Sequence, residues 1–355
     1  MSDKEINVLL KTINKKYGEN TILTMGSSSS TVNFVPTGIP SLDLLLGGGM
    51  PLGRIVEISG NESSGKTTLA LETMAQFAKA FPDKSQLFVD AEHALDVYYA
   101  YHLGVPINNE DKILFSQPDS GEEAMNVMVD IILSGKFSIV ILDSLSSLEP
   151  ERVQGRDLGD ADIGSHAKLS SDSLRRLAKA CAKTGCTLII LNQERANLTA
   201  MGAFGTVTAG GNAIKFYTSL RVKLKSSKPT NAFPNLVPIQ AKVIKSKTGA
   251  KLFQTTEYLL SSEGAGIQKL PNSIQYAIET GNLIVKGGGY LDWEKEDGVK
   301  EYISANKLRG MEKITAALFE DTDFCNMFCE SLGIPQIPVR GPLDRERIKL
   351  ELVKK

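Results

Sequence analysis

Ile6, Leu9, Leu10, Ile13 and Tyr17 recur at helical spacing, while Lys11, Lys15 and Lys16 lie off that stripe. With Asp3 as a cap and Gly18 as a stop, the pattern predicts an amphipathic helix of about four turns. Gly26-Ser27-Ser28-Ser29-Ser30-Thr31 then reads as a linker. The apolar stripe either packs on its own domain or docks on a neighbouring subunit. Isolation behind a Ser-rich linker favours the neighbour.

From Asn33 to about Ile267, short apolar runs alternate with helical patterns. Strands are predicted at Ile55–Ile58, Leu87–Val89, Ile139–Leu142, Leu188–Leu191, Leu220–Leu224 and Ile239–Ile244, and helices at Thr68–Phe81, Glu122–Ser134 and His166–Thr184. This alternation predicts an α/β domain with a mainly parallel central sheet and crossover helices. Beyond Pro271, short helices and a hairpin-like Gly287-Gly288-Gly289-Tyr290 turn predict a small α+β domain ending near Leu332. Gly333 to Lys355 is interrupted by proline and then charged, which predicts a flexible or weakly helical tail. The expected division is therefore 1–31, 32–268, 269–332 and 333–355.

Composition narrows the function classes. The 355 residues carry a formal net charge of −1, so no global basic field is available for nucleic acid. Any DNA binding must come from a local patch or from a surface summed over many copies. The four cysteines, Cys181, Cys186, Cys325 and Cys329, form no C-x-x-C pair, and His93, His102 and His166 are scattered, so no metal-ligand cluster is expected. The chain opens on no signal peptide and holds no apolar run long enough to span a bilayer. A soluble cytoplasmic protein without a membrane partner is the expectation.

The strongest chemical signal is Gly60, Asn61, Glu62, Ser63, Ser64, Gly65, Lys66 and Thr67, which read G-x-x-x-x-G-K-T between a predicted strand and a predicted helix that opens at Thr68. Triphosphate charge must be met at close range. Backbone N–H groups of a glycine-containing turn wrap the phosphates, and the following helix points its positive end at them. Lys66 would supply a full charge and the Thr67 hydroxyl a ligand to Mg2+. The alternative, a glycine-rich surface turn before an ordinary helix, does not require these flanks.

Ligands in such sheets bind at the carboxyl ends of strands, so polar residues there become candidates. Asp143 closes Ile139-Val140-Ile141-Leu142 and is placed to hold Mg2+, or else to cap a helix. Glu92 lies just beyond Leu87-Phe88-Val89-Asp90 and is placed to polarise an attacking water, with Asp90 competing for that role. Gln193 ends Leu188-Ile189-Ile190-Leu191-Asn192, and its neutral amide suits a γ-phosphate contact that reports to the next loop. That loop, Glu194 to Ala209, and the earlier Glu151 to Gly164 are both long for structureless connections, which points to function or disorder. Lys245 and Lys247 share one face of the last predicted strand and, on position alone, read as a solvated strand end.

Together with the phosphate loop, Val89-Asp90-Ala91-Glu92-His93-Ala94-Leu95-Asp96, Ser116-Gln117-Pro118-Asp119-Ser120-Gly121-Glu122 and Gly210-Gly211-Asn212-Ala213-Ile214-Lys215-Phe216-Tyr217 resemble the RecA recombinase family in order and spacing. The resemblance runs from the first helix to about residue 330. It implies a RecA-like P-loop ATPase core with an N-terminal oligomerisation helix and a small C-terminal domain. The implied protein is a DNA-dependent ATPase that forms a helical homo-oligomer on single-stranded DNA and pairs it with homologous double-stranded DNA. ATP and Mg2+ would sit between neighbouring subunits, and a repressor whose self-cleavage the filament stimulates is a further partner the resemblance admits.

The resemblance also assigns residues. Glu92 becomes the water-activating carboxylate and Gln193 the γ-phosphate sensor. Asp96 and Tyr99 fall at adenine-contact positions, and Thr68 extends the phosphate loop. Lys245 and Lys247 complete a neighbour's site, and Phe216 relays nucleotide state across the interface. Lys168, Ser171, Arg175, Arg195, Gly210, Gly211 and Asn212 match DNA-contact positions, with Glu151–Gly164 and Glu194–Ala209 as the two DNA loops.

The chain departs from the family pattern in four places. Asn197 stands where a cation is common, Phe204 is displaced along its loop, and Ser261-Ser262 replaces an aromatic near the nucleotide. The tail from Arg340 holds six basic and three acidic residues, a net of +3, where the family often has an acidic tail. The rival readings are a ring-forming motor of the same superfamily, a small-molecule P-loop kinase, and a structural DNA-binding protein with ATP as an assembly switch.

Overall fold

The computed structural model describes residues 3–18, 21–22, 31–151, 163–198, 204–208, 210–229, 234–287, 290–336 and 340–353. The chain divides into two compact units, Met1–Asn33 and Phe34–Lys355. The first holds helix α1 (Asp3–Tyr17), with Lys15 and Lys16 in its last turn where the helix dipole favours cations. Asn14 turns the chain back by bonding both the carbonyl (3.2 Å) and the amide (2.9 Å) of Ile22. Ile6, Leu9 and Tyr17 of the apolar stripe are exposed.

The second unit opens with β1 (Phe34–Val35), α2 (Pro40–Leu46) and β2 (Met50–Pro51), then β3 (Ile55–Gly60), α3 (Lys66–Ala80), β4 (Ser85–Asp90), α4 (Val97–His102), β5 (Ile113–Ser116), α5 (Gly121–Leu133) and β6 (Phe137–Asp143). It continues through α6 (Ile163–Thr184), β7 (Thr187–Leu198), β8 (Phe204–Thr208), α7 (Gly211–Tyr217), β9 (Leu220–Ser226), β10 (Leu236–Ser246), β11 (Thr255–Ser261) and β12 (Ile267–Gln268). The last elements are α8 (Lys269–Glu279), β13 (Leu283–Lys286), β14 (Tyr290–Trp293), α9 (Gly298–Ala305), α10 (Met311–Glu320), α11 (Thr322–Leu332) and α12 (Arg345–Val353).

The main sheet runs β12-β11-β10-β9-β3-β7-β6-β4-β5. It is parallel from β9 to β5 and antiparallel from β12 to β9. The parallel strands are apolar runs because helices cover both faces. Alternate residues feed opposite cores: Ile139, Ile141, Ile189 and Leu191 pack with α3, and Val140, Leu142, Leu188 and Ile190 pack with α5 and α6. A third core joins α8 to α11 around buried Trp293, whose ring lies 5.1 Å from that of Phe328.

One charged residue interrupts the buried strand β3. Glu57 is fully buried and register-paired with Arg221 of β9, whose Nε meets its carboxylate, while Asn192 Nδ2 donates to it at 2.9 Å. Removing one partner of a buried pair strands the other charge. Arg221→Ala is therefore expected to lower stability by about 3 kcal/mol, read as a shifted urea midpoint at unchanged slope.

Three expectations are revised. Within Glu194–Ala209, β7 continues to Leu198 and pairs antiparallel with β8 from Glu194↔Thr208 to Leu198↔Phe204, so the described part is strand, and residues 199–203 and 209 lie outside the described residues. Helix α6 begins at Ile163, three residues before the predicted start. The tail forms α12 and bonds back to the core through Arg340, Leu343 and Arg345. Residues 152–162 of the first expected loop lie outside the described residues, as do the side chains of Lys168, Arg195 and Asn212.

Candidate nucleotide site at the strand tips

The sheet order β3-β7-β6-β4 sets four carboxyl ends side by side. Gly60 pairs with Gln193, and Asp90 with Asp143. At the end of β3 the chain makes a turn that only small residues permit. A Cβ on Gly60 would come within 2.5 Å of the Leu224 carbonyl and 2.6 Å of Ser64 Oγ. Ser63 and Gly65 take φ of 56° and 79°, the left-handed region that winds the loop toward α3. The buried Ser64 hydroxyl has no hydrogen-bond partner among the described residues, as expected of a group placed for an anion. Together with the free amides at the start of α3, this cradle fits a phosphate.

Lys66 is the first residue of α3 and is 9% exposed. Its Nζ donates to the carbonyls of Gly60 (3.2 Å) and Asn61 (2.8 Å). Burial lowers its proton affinity, and Asp143, Glu92, Glu62 and Glu194 oppose that shift. Thr67 Oγ1 donates to Asp143 Oδ2 at 2.7 Å, so hydroxyl and carboxylate face one point. Burial pushes the Asp143 carboxyl up to about 6, with the Thr67 bond pulling against it. A hydroxyl and a buried carboxylate beside a phosphate cradle are an oxygen donor set suited to Mg2+.

Glu92 sits beyond β4 with an exposed side chain. Its Oε1 accepts from Ser144 Oγ (2.6 Å), Gln193 Nε2 (2.8 Å) and Ser147 Oγ (3.3 Å). Asp90 is 2% exposed and accepts from the amides of Ala94 and Leu95 and from Gln117, each at 3.0–3.1 Å. It closes the turn into α4, and only Glu92 is left open to a ligand. Ser147 and Glu194 were not foreseen. Glu194 ties the tip of β7 to β9 through Lys223 (2.6 Å) and to β3 through Ser59 (3.3 Å).

Residues 4–266 match the RecA N-terminal domain. Protein RecA of Nostoc sp. (strain PCC 7120) is 40% identical over 292 residues, covering 81% of this chain and 79% of that protein. Protein RecA of Gloeobacter violaceus is 37% identical over 323 residues, covering 90% and 82%, and Protein RecA of Trichodesmium erythraeum is 38% identical over 323 residues, covering 90% and 85%. The chain belongs to the RecA family. It is a DNA-dependent ATPase of recombination and repair, with the DNA binding and filament formation of that family.

Around this candidate nucleotide site of a RecA-family chain, the other candidates fall into two groups. Asp96 caps α4, its Oδ1 accepting from the amides of Tyr98 (3.1 Å) and Tyr99 (3.2 Å). The Tyr99 hydroxyl meets Thr68 Oγ1 at 3.0 Å, which fixes α4 against the first turn of α3. Burial raises the proton affinity of that hydroxyl. Arg345 pairs with Asp96, a contact without any local sequence signal.

The second group stands apart from the loop. Lys245 Nζ donates to the carbonyls of Lys215 and Phe216 (3.3 Å to the latter), tying β10 to the end of α7. Burial and the nearby charges of Lys247 and Arg221 lower its proton affinity. Lys247 is exposed, and Phe216 is 71% exposed. Gly210 caps α7 at φ 82°, with Gly211 next at φ 56°. Ser171 and Arg175 lie exposed on α6, Arg175 beside Asp172 at 3.5 Å. Among the described residues, no hydrogen bond or ion pair joins Lys245 or Lys247 to Lys66, Glu92 or Asp143.

No helix among the described residues is long and apolar enough to cross a membrane.

Proposed function

We propose that ATP is hydrolysed at the strand tips by water that Glu92 orients, and that the site is completed by a neighbouring copy of the chain. The observation that carries this reading is the Glu92 carboxylate, held by Gln193, Ser144 and Ser147 beside the Lys66–Thr67–Asp143 group. Residues Gly60 to Thr68 cradle the phosphates, with Lys66 as the charged donor. Thr67 and Asp143 hold Mg2+, which when bound neutralises charge on the phosphate oxygens. Asp96 and Tyr99 hold the base. Glu92 takes a proton from the attacking water.

Gln193 couples the reaction to DNA. Its amide donates to Glu92, and a γ-phosphate oxygen is a second charged acceptor suited to the same group. A change of partner would pull on β7, which runs without interruption into the hairpin with β8. The DNA contacts would be Lys168, Ser171, Arg175, Arg195, Gly210, Gly211 and Asn212, on α6, on that hairpin and at the start of α7. A few such groups per subunit, repeated along a filament, bind single-stranded DNA avidly despite the net charge of −1. Homologous double-stranded DNA is the second partner, and a self-cleaving repressor is a further one.

Exposed Lys247 and Phe216, with half-buried Lys245 bonded beside them to the end of α7, suit a surface offered to the next subunit. Domains 1–31, 32–268, 269–332 and 333–355 then serve as assembly arm, motor, accessory domain and tail. The exposed stripe of α1 supports the first of these. A head-to-tail contact that does not close gives a filament.

The direct test is ATP turnover with and without single-stranded DNA. Strong stimulation is expected, and turnover unchanged across a wide DNA titration would refute the reading. Lys247→Ala is expected to reduce turnover by about 10²-fold. Mixing it with Lys66→Ala subunits should restore part of the activity, because one interface then holds an intact Lys66 and an intact Lys247. No recovery at any mixing ratio would place Lys247 outside a shared site.

A further inference from the structure

The C-terminal segment returns to the nucleotide end of the fold and is held there at two strengths. Arg340 Nη1 pairs at 2.8 Å with Glu72, a fully buried residue of α3, and Lys269 holds the other carboxylate oxygen at 2.8 Å. Arg340 Nη2 donates to the Leu103 carbonyl at 3.2 Å, and the His102 ring meets the Gly341 carbonyl at 3.1 Å. The Leu343 amide donates to Glu263, next to Ser261-Ser262, at 3.4 Å. Helix α12 then packs along α4 and buries Ile348. The first contact is a buried anchor.

The tip is different. Both Nη atoms of Arg345 reach the Asp96 carboxylate, one at 3.3 Å to Oδ1 and the other closer, to Oδ2. Oδ1 already accepts the amides of Tyr98 and Tyr99. Those two bonds belong to the cap of α4. Arg345 is therefore the donor that any incoming group must displace from Asp96. The pair is accessible on both sides, with side-chain exposures of 57% and 27%, so water screens it and its opening is cheap.

We propose that α12 is a releasable latch on the base end of the nucleotide site, with Arg345 and the adenine base competing for Asp96. Nucleotide entry frees the helix tip, and docking of the helix weakens nucleotide binding, while Arg340 on Glu72 keeps the segment tethered. This rests on the reading of Asp96 as a base contact.

The test compares two probes on the full-length chain: a nonhydrolysable ATP analogue, and inorganic tripolyphosphate, which has the phosphates without the base. Arg345→Ala and Arg345→Glu are expected to tighten the analogue about threefold, the range of an exposed ion pair, and to leave tripolyphosphate unchanged. In the unmodified chain, amide hydrogen exchange across 345–353 should rise on adding the analogue and not on adding tripolyphosphate. Unchanged analogue affinity in both variants overturns the latch. Weaker analogue binding also overturns it and makes Arg345 a wall of the base pocket. Asp96→Asn on the Arg345→Ala background separates the two readings. If it weakens the analogue alone, the base contact stands whatever the fate of the latch. If it has no effect, the base contact fails and the latch fails with it.

Discussion

Glu92→Gln is expected to slow DNA-stimulated ATP hydrolysis by about 10²–10⁴-fold while nucleotide-dependent filaments still form. The amide keeps the shape of the carboxylate and an oxygen that can accept from Ser144, Gln193 and Ser147. What it loses is the negative charge and the capacity to take a proton from water. Nothing in the fold depends on that charge, since the Glu92 side chain is exposed and its three partners are side chains at neighbouring strand tips. The phosphate cradle is built from other residues. Turnover with single-stranded DNA and electron microscopy with an ATP analogue check the two halves of the prediction. If filaments vanish while nucleotide still binds, Glu92 is a structural residue. Asp90→Asn makes the contrast, because it weakens the acceptor of the Ala94 and Leu95 amides and loosens the turn into α4.

The parallel strands were legible because burial on both faces writes them as uninterrupted apolar runs. Ile139 to Leu142 and Leu188 to Leu191 are such runs, and each observed strand extends beyond its apolar centre. The same rule hides the rest of the sheet. In β11, Thr255 to Ser261 mixes polar residues into a half-buried strand, and β5 has four residues at an edge with Phe115 exposed. The hairpin of β7 and β8 was hidden by composition. Gly, Ala and Thr suggest a loop, but the strand is already launched by the buried residues before it and simply continues.

The site divided along the same line. A polar residue at the end of an apolar run is a local signal, and it singled out Asp143, Glu92 and Gln193, which the sheet sets at neighbouring strand tips with Gln193 bonded to Glu92. The choice between Asp90 and Glu92 needs side-chain direction, which depends on where the amides of Ala94 and Leu95 fall after the turn. Glu57 was passed over because a charge in Ile55-Val56-Glu57-Ile58 has no meaning until Arg221 arrives from β9. Arg345 and Asp96 lie 249 residues apart, and no spacing rule connects them. Lys245 and Lys247 lie at a strand end by geometry as well, Lys245 bonded to the end of α7 and Lys247 exposed, and the proposed role in a neighbour's site has no signal within one chain.

Lys66→Ala is expected to abolish turnover, a loss on the order of 10³-fold or more, and to weaken triphosphate binding as well. The lysine is the positive charge that burial, the start of α3 and the phosphate loop are arranged around. Asp143, Glu92, Glu62 and Glu194 all act to keep it charged. Without it, those carboxylates face the phosphates unopposed, so the substrate meets repulsion where it met attraction. Global stability should change little by comparison, because Nζ holds only the Gly60 and Asn61 carbonyls and the exposed Asn61 lets water replace it. Lys66→Arg is not expected to rescue. A planar guanidinium needs more room than a point charge in a loop where a Cβ on Gly60 would already meet Ser64 Oγ at 2.6 Å. Steady-state hydrolysis, analogue affinity and a denaturation midpoint on the same preparation separate these effects. Wild-type turnover in Lys66→Ala would remove the phosphate loop from the chemistry. A large fall in the midpoint would instead make the lysine a structural staple between β3 and α3.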